Sequence, residues 1–107
     1  MNSKRSQEDF KLPDDFVDYS ISMNTTEESD IVGAIEYALE GIVPPGLGLW
    51  EYVTDFWNAD SEGNKEESTL IFNEGIIDTM NSIAPGGTSF GGHPGDPSNY
   101  GFWRHEV

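Results

Sequence analysis

The chain has almost no basic side chains between its two ends. It carries 20 acidic and 5 basic residues in 107, which gives a formal net charge of -15. Lys65 is the only base between Leu12 and Trp103, whereas seventeen acids lie in that range. A fold made from this segment cannot neutralise its acids by internal ion pairs, so they must lie at the surface. The resulting negative field repels nucleic acid and attracts basic surfaces.

The apolar content nevertheless predicts a folded chain. Disordered acidic chains are poor in aromatic residues, but this chain has three Trp, four Tyr and six Phe, or 12% aromatic residues. Its length of 107 residues fits one small domain. We therefore expect a flexible N-terminal tail at residues 1–13 and a single acidic α+β domain at residues 14–107.

The sequence also bears on the cellular compartment. With no cysteine, the chain can form no disulfide and do no thiolate chemistry. No apolar run follows Lys4 and Arg5, as a secretory signal would require, and no stretch approaches the roughly 20 apolar residues of a membrane span. We expect a cytoplasmic protein.

Two periodic patterns of apolar residues predict a strand and then a helix in the first half of the domain. Residues 16–23 alternate as in a half-buried strand. Thr25 and Glu28 have the spacing of a capping box, so a helix should begin there, run to about Glu40 and stop at Gly41. The strand should bury one face, formed by Val17, Tyr19, Ile21 and Met23. The helix should bury Ile31, Ala34, Ile35, Ala38 and Leu39.

The middle of the chain fits two alternative secondary structures. Residues 49–57 fit both a strand and a helical period, and their aromatic and β-branched content favours a strand. Residues 58–64 are a predicted polar turn. Asn64 and Glu67 again have capping-box spacing, so a second helix should begin near Asn64 and end before Pro85. Its buried side should comprise Leu70, Phe72, Ile76, Ile77, Met80 and Ile83.

The last segment predicts a pair of strands. Residues 88–90 and 100–103 are the expected strands, joined by a tight loop at residues 93–97 because of its Pro and Gly content. The element order is then β-α-β-α-β-β. We expect an α+β fold with a mixed or antiparallel sheet and two helices packed on one face.

The outward helix faces provide a candidate partner-binding surface. Acids four residues apart on a helix are separated by about 6 Å along its axis. Duplex DNA has one phosphate per roughly 3.4 Å of each strand, so such an array could imitate a sparse phosphate ladder. Glu67, Glu74 and Asp78 should lie within roughly 40° of each other. Exposed aromatic residues such as Trp103 would anchor the contact. The predicted partner-binding residues are Asp30, Glu36, Glu40, Glu67, Glu74, Asp78 and Trp103.

Catalytic and metal motifs are weak in this sequence. Asn58, Asp60, Glu62, Gly63 and Glu66 partly resemble the start of an EF-hand calcium loop, but Thr69 stands where that loop needs a bidentate Glu. A polar turn before a helix explains these residues better. His93, Asp96, His105 and Glu106 could supply zinc ligands only if the last two strands bring them together. No nucleophile elbow or phosphate loop is present. We therefore expect a protein that is not an enzyme and needs no cofactor or metal.

The leading functional hypothesis is a small acidic inhibitor. It would occupy a basic, nucleic-acid-binding surface of another protein, binding neither nucleic acid nor membrane itself. In composition it resembles the acidic decoys by which phages and mobile elements inhibit host defence. The alternatives are an immunity- or antitoxin-like protein that neutralises one basic toxin, and a non-enzymatic acidic domain whose charge serves only solubility or salt adaptation.

Overall fold

A computed structural model describes residues 10–104. In chain order, the elements are a 3-10 turn (Asp14–Phe16), β1 (Tyr19–Ser22), α1 (Glu28–Leu39), α2 (Gly48–Ser61), α3 (Lys65–Ile71), a π-helical turn (Phe72–Ile76), α4 (Ile77–Ser82), β2 (Thr88–His93) and β3 (Asp96–Arg104). The π turn joins α3 directly to α4, so residues 65–82 form one continuous helical path.

The three strands form an antiparallel sheet in the order β1-β3-β2. Phe90 and Phe102 pair across β2 and β3, and both are buried. They join one hydrophobic core with Ile35 from α1, Phe56 from α2 and Met80 from α4. The predicted α+β class, the antiparallel sheet and the packing of helices against it are thus confirmed.

The predicted strand at residues 49–57 is wrong, because these residues lie in helix α2. Leu49, Val53 and Phe56 are buried, with the i, i+4, i+7 spacing of one helical face. The two tryptophans flank this face, and each indole finds a hydrogen-bond acceptor. Trp50 donates to the carbonyl of Val43, whereas Trp57 donates to the carboxylate of Glu36. Aromatic enrichment here reflects helix packing rather than strand preference.

The predicted inward face of the first strand is correct in part, because Ile21 packs against the core. Tyr19 and Met23 are 47% and 56% exposed, whereas Ser22 is buried. An irregularity in the pairing of β1 with β3 between Ser20 and Ser22 interrupts the alternation, so that the positions after it no longer follow the predicted pattern. Phe16 supplies the apolar anchor here, from the 3-10 turn before the strand.

The segment before the 3-10 turn contributes to the core. Leu12 is buried, and its backbone N–H donates to the carbonyl of Ile83. The Lys11 ammonium donates to the carbonyl of Ser82. Residues 1–9 of the predicted tail lie outside the described residues.

The helix boundaries confirm some sequence signals and correct others. Gly41 has φ +84°, and α1 ends just before it as predicted. Asn64 caps α3 by accepting from the backbone N–H of Glu67. Thr25 is no capping-box residue, because α1 starts at Glu28 after an uncapped Glu27. The Thr25 hydroxyl instead accepts from the N–H of Glu27 and donates to Asp30.

The helical path from α3 to α4 buries most of its predicted side. Phe72, Ile76, Met80 and Ile83 are buried, but Leu70 is 49% exposed. In α3 the buried line runs through Ser68 and Phe72, four residues apart, which places Leu70 on the opposite side. Ser68 tolerates burial because its hydroxyl donates to the carbonyl of Lys65.

Candidate partner-binding surface

The acids of the described chain are solvent-facing and almost uncompensated. Every acidic side chain in residues 10–104 is exposed except those of Glu28 and Glu36, which are partly buried. In the same range the bases are Lys11, Lys65 and Arg104. The ion pair found there joins Arg104 to Asp18 at 3.5 Å, with both side chains more than half exposed. Such a pair contributes little stability. The negative field is therefore not cancelled within this part of the molecule.

Helix α2 carries an acidic stripe that the sequence prediction missed. Glu51 and Asp55 project from consecutive turns, and Glu62 follows at the C-cap with helical dihedral angles; we call these three residues the α2 acidic stripe. At 100° per residue they lie within about 40° of one another and span about 16 Å of helix. The separation of these acids from the apolar residues of the segment was a sequence signal for a helix. As a strand, residues 49–57 would place Glu51 and Asp55 on the same face as Val53, whereas a helix separates them.

One predicted residue adjoins this stripe. Glu67, in the first turn of α3, lines a shallow groove of about 280 Å³ together with Tyr52, Asp55 and Glu62. The Asn64 cap fixes the backbone there, because Asn64 Oδ1 accepts a hydrogen bond from the N–H of Glu67 at an O···N distance of 3.2 Å. The turn between α2 and α3 thus gathers acids from both helices.

The predicted alignment of Glu67 with Glu74 and Asp78 assumes an unbroken α-helix, and it stays a prediction. The π turn at Phe72–Ile76 adds a residue to the helical path, and each added residue rotates the following side chains by about 100°. Glu74 and Asp78 remain exposed. The three residues therefore do not follow the spacing of one regular α-helix.

Asp30 and Trp103 each have a partner within the fold. An Asp30 carboxylate oxygen accepts from the Thr25 hydroxyl at 2.9 Å, and its side chain remains exposed in the first turn of α1. The Trp103 indole donates to the carbonyl of Gly91 at 2.9 Å, and its ring meets the His93 ring edge-to-face at 4.7 Å. The tryptophan is half-buried, so most of its contacts serve the β2–β3 hairpin.

A groove beside the C-terminal half of α1 brings Glu36 and Glu40 together. We call it the α1 groove; its volume is about 660 Å³, and the loop at residues 41–45 forms one wall. Its lining includes Glu36, Tyr37, Glu40, Ile42 and Trp50. Gly41 turns the chain out of α1 to start this wall, and Pro44 and Pro45 stiffen it. Trp50 fixes the loop to α2 through its 3.2 Å hydrogen bond to Val43.

The α1 groove combines anchored acid with free aromatic surface. The Glu36 carboxylate accepts from the Trp57 indole at 3.0 Å through Oε1, which orients it and leaves Oε2 available. Tyr37 is 90% exposed and Ile42 is 43% exposed. Sequence periodicity places Glu36 and Glu40 on an outer face, and Pro44 and Pro45 predict a rigid connection after α1, but the sequence does not show that this connection turns the face into a groove.

The candidate metal ligands are not assembled in the described part of the chain. Asn58 and Asp60 belong to the last turns of α2, so the segment that resembles a calcium loop begins as helix. Within residues 10–104, no three His, Cys, Asp or Glu side chains converge as metal ligands would. His105 and Glu106 lie outside the described residues.

Within residues 10–104, no helix is long and apolar enough to cross a bilayer.

Comparisons with protein-family models, curated proteins and solved structures find no match to this chain.

Proposed function

We propose that this protein is a small acidic inhibitor that occupies a basic, nucleic-acid-binding surface of another protein. The observation that carries the proposal is the exposure of nearly all acids in residues 10–104 with only Lys11, Lys65 and Arg104 to balance them. A rigid field of this kind steers basic partners into contact and disfavours acidic ones.

The arrangement of the acids supports competition with nucleic acid. The α2 acidic stripe is a linear array along α2, whose opposite face is buried in the core, and Glu67 lines the same groove as Asp55 and Glu62. Glu51 and Asp55 are separated by about 6 Å along the axis, compared with roughly 3.4 Å between phosphates of one DNA strand. A channel lined with Lys and Arg would bind this array in place of a phosphate backbone and release it as salt increases.

The second candidate is an immunity- or antitoxin-like protein with one cognate basic toxin. The α1 groove favours it, because a shaped pocket with exposed Tyr37 can select a single partner by fit rather than by charge alone. In that case the protein would rescue activity or growth against one toxin without displacing DNA from unrelated proteins.

Capture followed by competition tests the proposal. The immobilised chain is loaded with lysate at low salt, the retained proteins are eluted with a salt gradient, and each is purified and assayed for DNA binding. We expect a partner that elutes as salt increases and that a DNA duplex releases at constant salt. A retained partner whose DNA binding is unaffected by saturating inhibitor would contradict the proposal.

Two charge-matched variants sharpen the test. One carries Glu51→Gln, Asp55→Asn and Glu62→Gln, which remove the α2 acidic stripe. The other removes three exposed acids elsewhere, through Asp14→Asn, Asp15→Asn and Glu27→Gln. Both have the same net charge, so a larger loss of binding in the stripe variant separates an arranged surface from a diffuse field.

A further inference from the structure

We propose that the α1 groove is the docking site for an arginine side chain of the basic partner. This inference rests on the proposed function and adds which group is recognised and where. The acids of the groove come from α1 and differ from those of the α2 acidic stripe, although Trp50 borders both surfaces.

The negative charge of the groove favours a cation as its ligand. Glu36 and Glu40 project from consecutive turns of α1, and no basic side chain among the described residues lines the groove. The groove also adjoins the C-terminal end of a 12-residue helix, where the helix dipole contributes further negative potential. The Trp57 hydrogen bond holds Glu36 in place before the partner arrives, which lowers the entropic cost of binding.

The shape and aromatic surface favour arginine over lysine. Within the described chain, Tyr37 makes no hydrogen bond or ring contact, and its ring is free to stack on a planar guanidinium. A guanidinium can bridge two carboxylates through its fork of N–H donors while its methylene stem packs on Ile42 and Trp50. The ammonium of lysine is a more strongly hydrated point charge and gains less from the same surfaces.

Short peptides test the inference without a known partner. Hexa-arginine and hexa-lysine are titrated into the full chain at low ionic strength, with binding followed by calorimetry and by backbone amide NMR shifts. We expect hexa-arginine to bind at least about fivefold more tightly and to shift amides at residues 33–43 most. Equal affinities for the two peptides, or shifts spread evenly over the acidic surface, would overturn the inference.

Matched variants identify the side chains. Glu40→Gln should weaken hexa-arginine binding about five- to tenfold, whereas Asp15→Asn, an equal charge loss outside the groove, should change it less than about twofold. Tyr37→Ala should weaken it about two- to fivefold and reduce the preference for arginine, whereas Leu70→Ala should not. All four side chains are exposed, so the folds should survive. Equal losses in Glu40→Gln and Asp15→Asn would contradict the assignment.

The two proposals fail in different ways. If hexa-arginine does not bind in the groove but the protein still displaces DNA from a captured partner, the groove assignment is wrong and the inhibitor proposal is supported. If hexa-arginine binds in the groove but the partner stays bound to DNA, the groove assignment is supported and the proposed competition with nucleic acid is wrong.

Discussion

Gly101 lies where β1, β3 and the Trp103 ring meet most closely. A Cβ at this position would collide with the carbonyl oxygen of Tyr19 and approach Cζ2 of Trp103 to 2.8 Å. Its cross-strand partner Gly91 has no neighbouring atom within 4 Å of the equivalent position. Only one glycine of this pair is therefore required by packing.

Gly101→Ala should accordingly lower the free energy of unfolding by about 1–3 kcal/mol, because the backbone of β1 must move to relieve the overlap. Gly91→Ala should change it by less than about 0.5 kcal/mol. Urea unfolding followed by tryptophan fluorescence measures both. Equal effects of the two substitutions would contradict the close approach of β1 to Gly101.

A second pair of glycines tests the π turn. The Tyr52 ring of α2 packs directly over Gly75, and a Cβ there would lie 2.5 Å from ring atom Cδ1. Gly75→Ala should destabilise the fold by about 1–3 kcal/mol. Gly33, inside α1, has free space, so Gly33→Ala should stabilise the fold by roughly 0.5–1 kcal/mol through helix propensity. Thermal unfolding of the two variants compares them, and a neutral Gly75→Ala would argue against the α2–π contact.

At the scale of elements, the hydrogen bond from Trp57 to Glu36 links α2 to α1. Trp57→Phe keeps most of the ring packing against Phe56 but removes the indole donor. We expect a loss of about 1–2 kcal/mol in unfolding free energy, since the acceptor is a partly buried carboxylate. If the bond is the cause, a double variant with Glu36→Met, which removes the acceptor oxygen, should lose less than the sum of the single losses. Strict additivity would mean that the bond contributes nothing.

The elements differ in how far the sequence predicts them. Helix α1, the Asn64 cap and the final hairpin follow from local signals, because periodicity, a capping residue and a Pro-Gly turn each act within a few residues. Helix α2 was misassigned since Trp50 and Trp57 raise strand propensity, while their real partners lie on other elements. The π turn lies where the Tyr52 ring packs over Gly75, a contact between distant residues that periodicity cannot reveal.

The same limits apply to the candidate surface. Residues on α1, such as Glu36 and Glu40, could be placed outward from the sequence alone. The α2 acidic stripe depended on the correct helix assignment. The groove depended on how the loop at residues 41–45 returns along α1, which only the assembled fold determines.

At the scale of the whole molecule, the uncompensated charge should make stability depend on salt. Like charges on a compact body repel one another, and the Debye length falls from about 30 Å at 0.01 M to about 3 Å at 1 M salt. We expect the melting temperature to rise by on the order of 5 °C over this range, mostly at the low-salt end. The variant without the α2 acidic stripe should gain less. A fold that forms only in molar salt would instead favour salt adaptation as the reason for the acids.

Displacement of DNA from the captured partner is the decisive measurement for the proposal that the acidic surface competes with nucleic acid. Anisotropy of a labelled duplex bound to that partner is followed while the acidic protein is added. Near-stoichiometric amounts of the wild-type chain should release the duplex. The stripe variant (E51Q, D55N, E62Q) should require at least about tenfold more, and the charge-matched variant (D14N, D15N, E27Q) only slightly more than wild type. Retention of the duplex at saturating wild-type protein, or equal losses in both variants, would contradict the account.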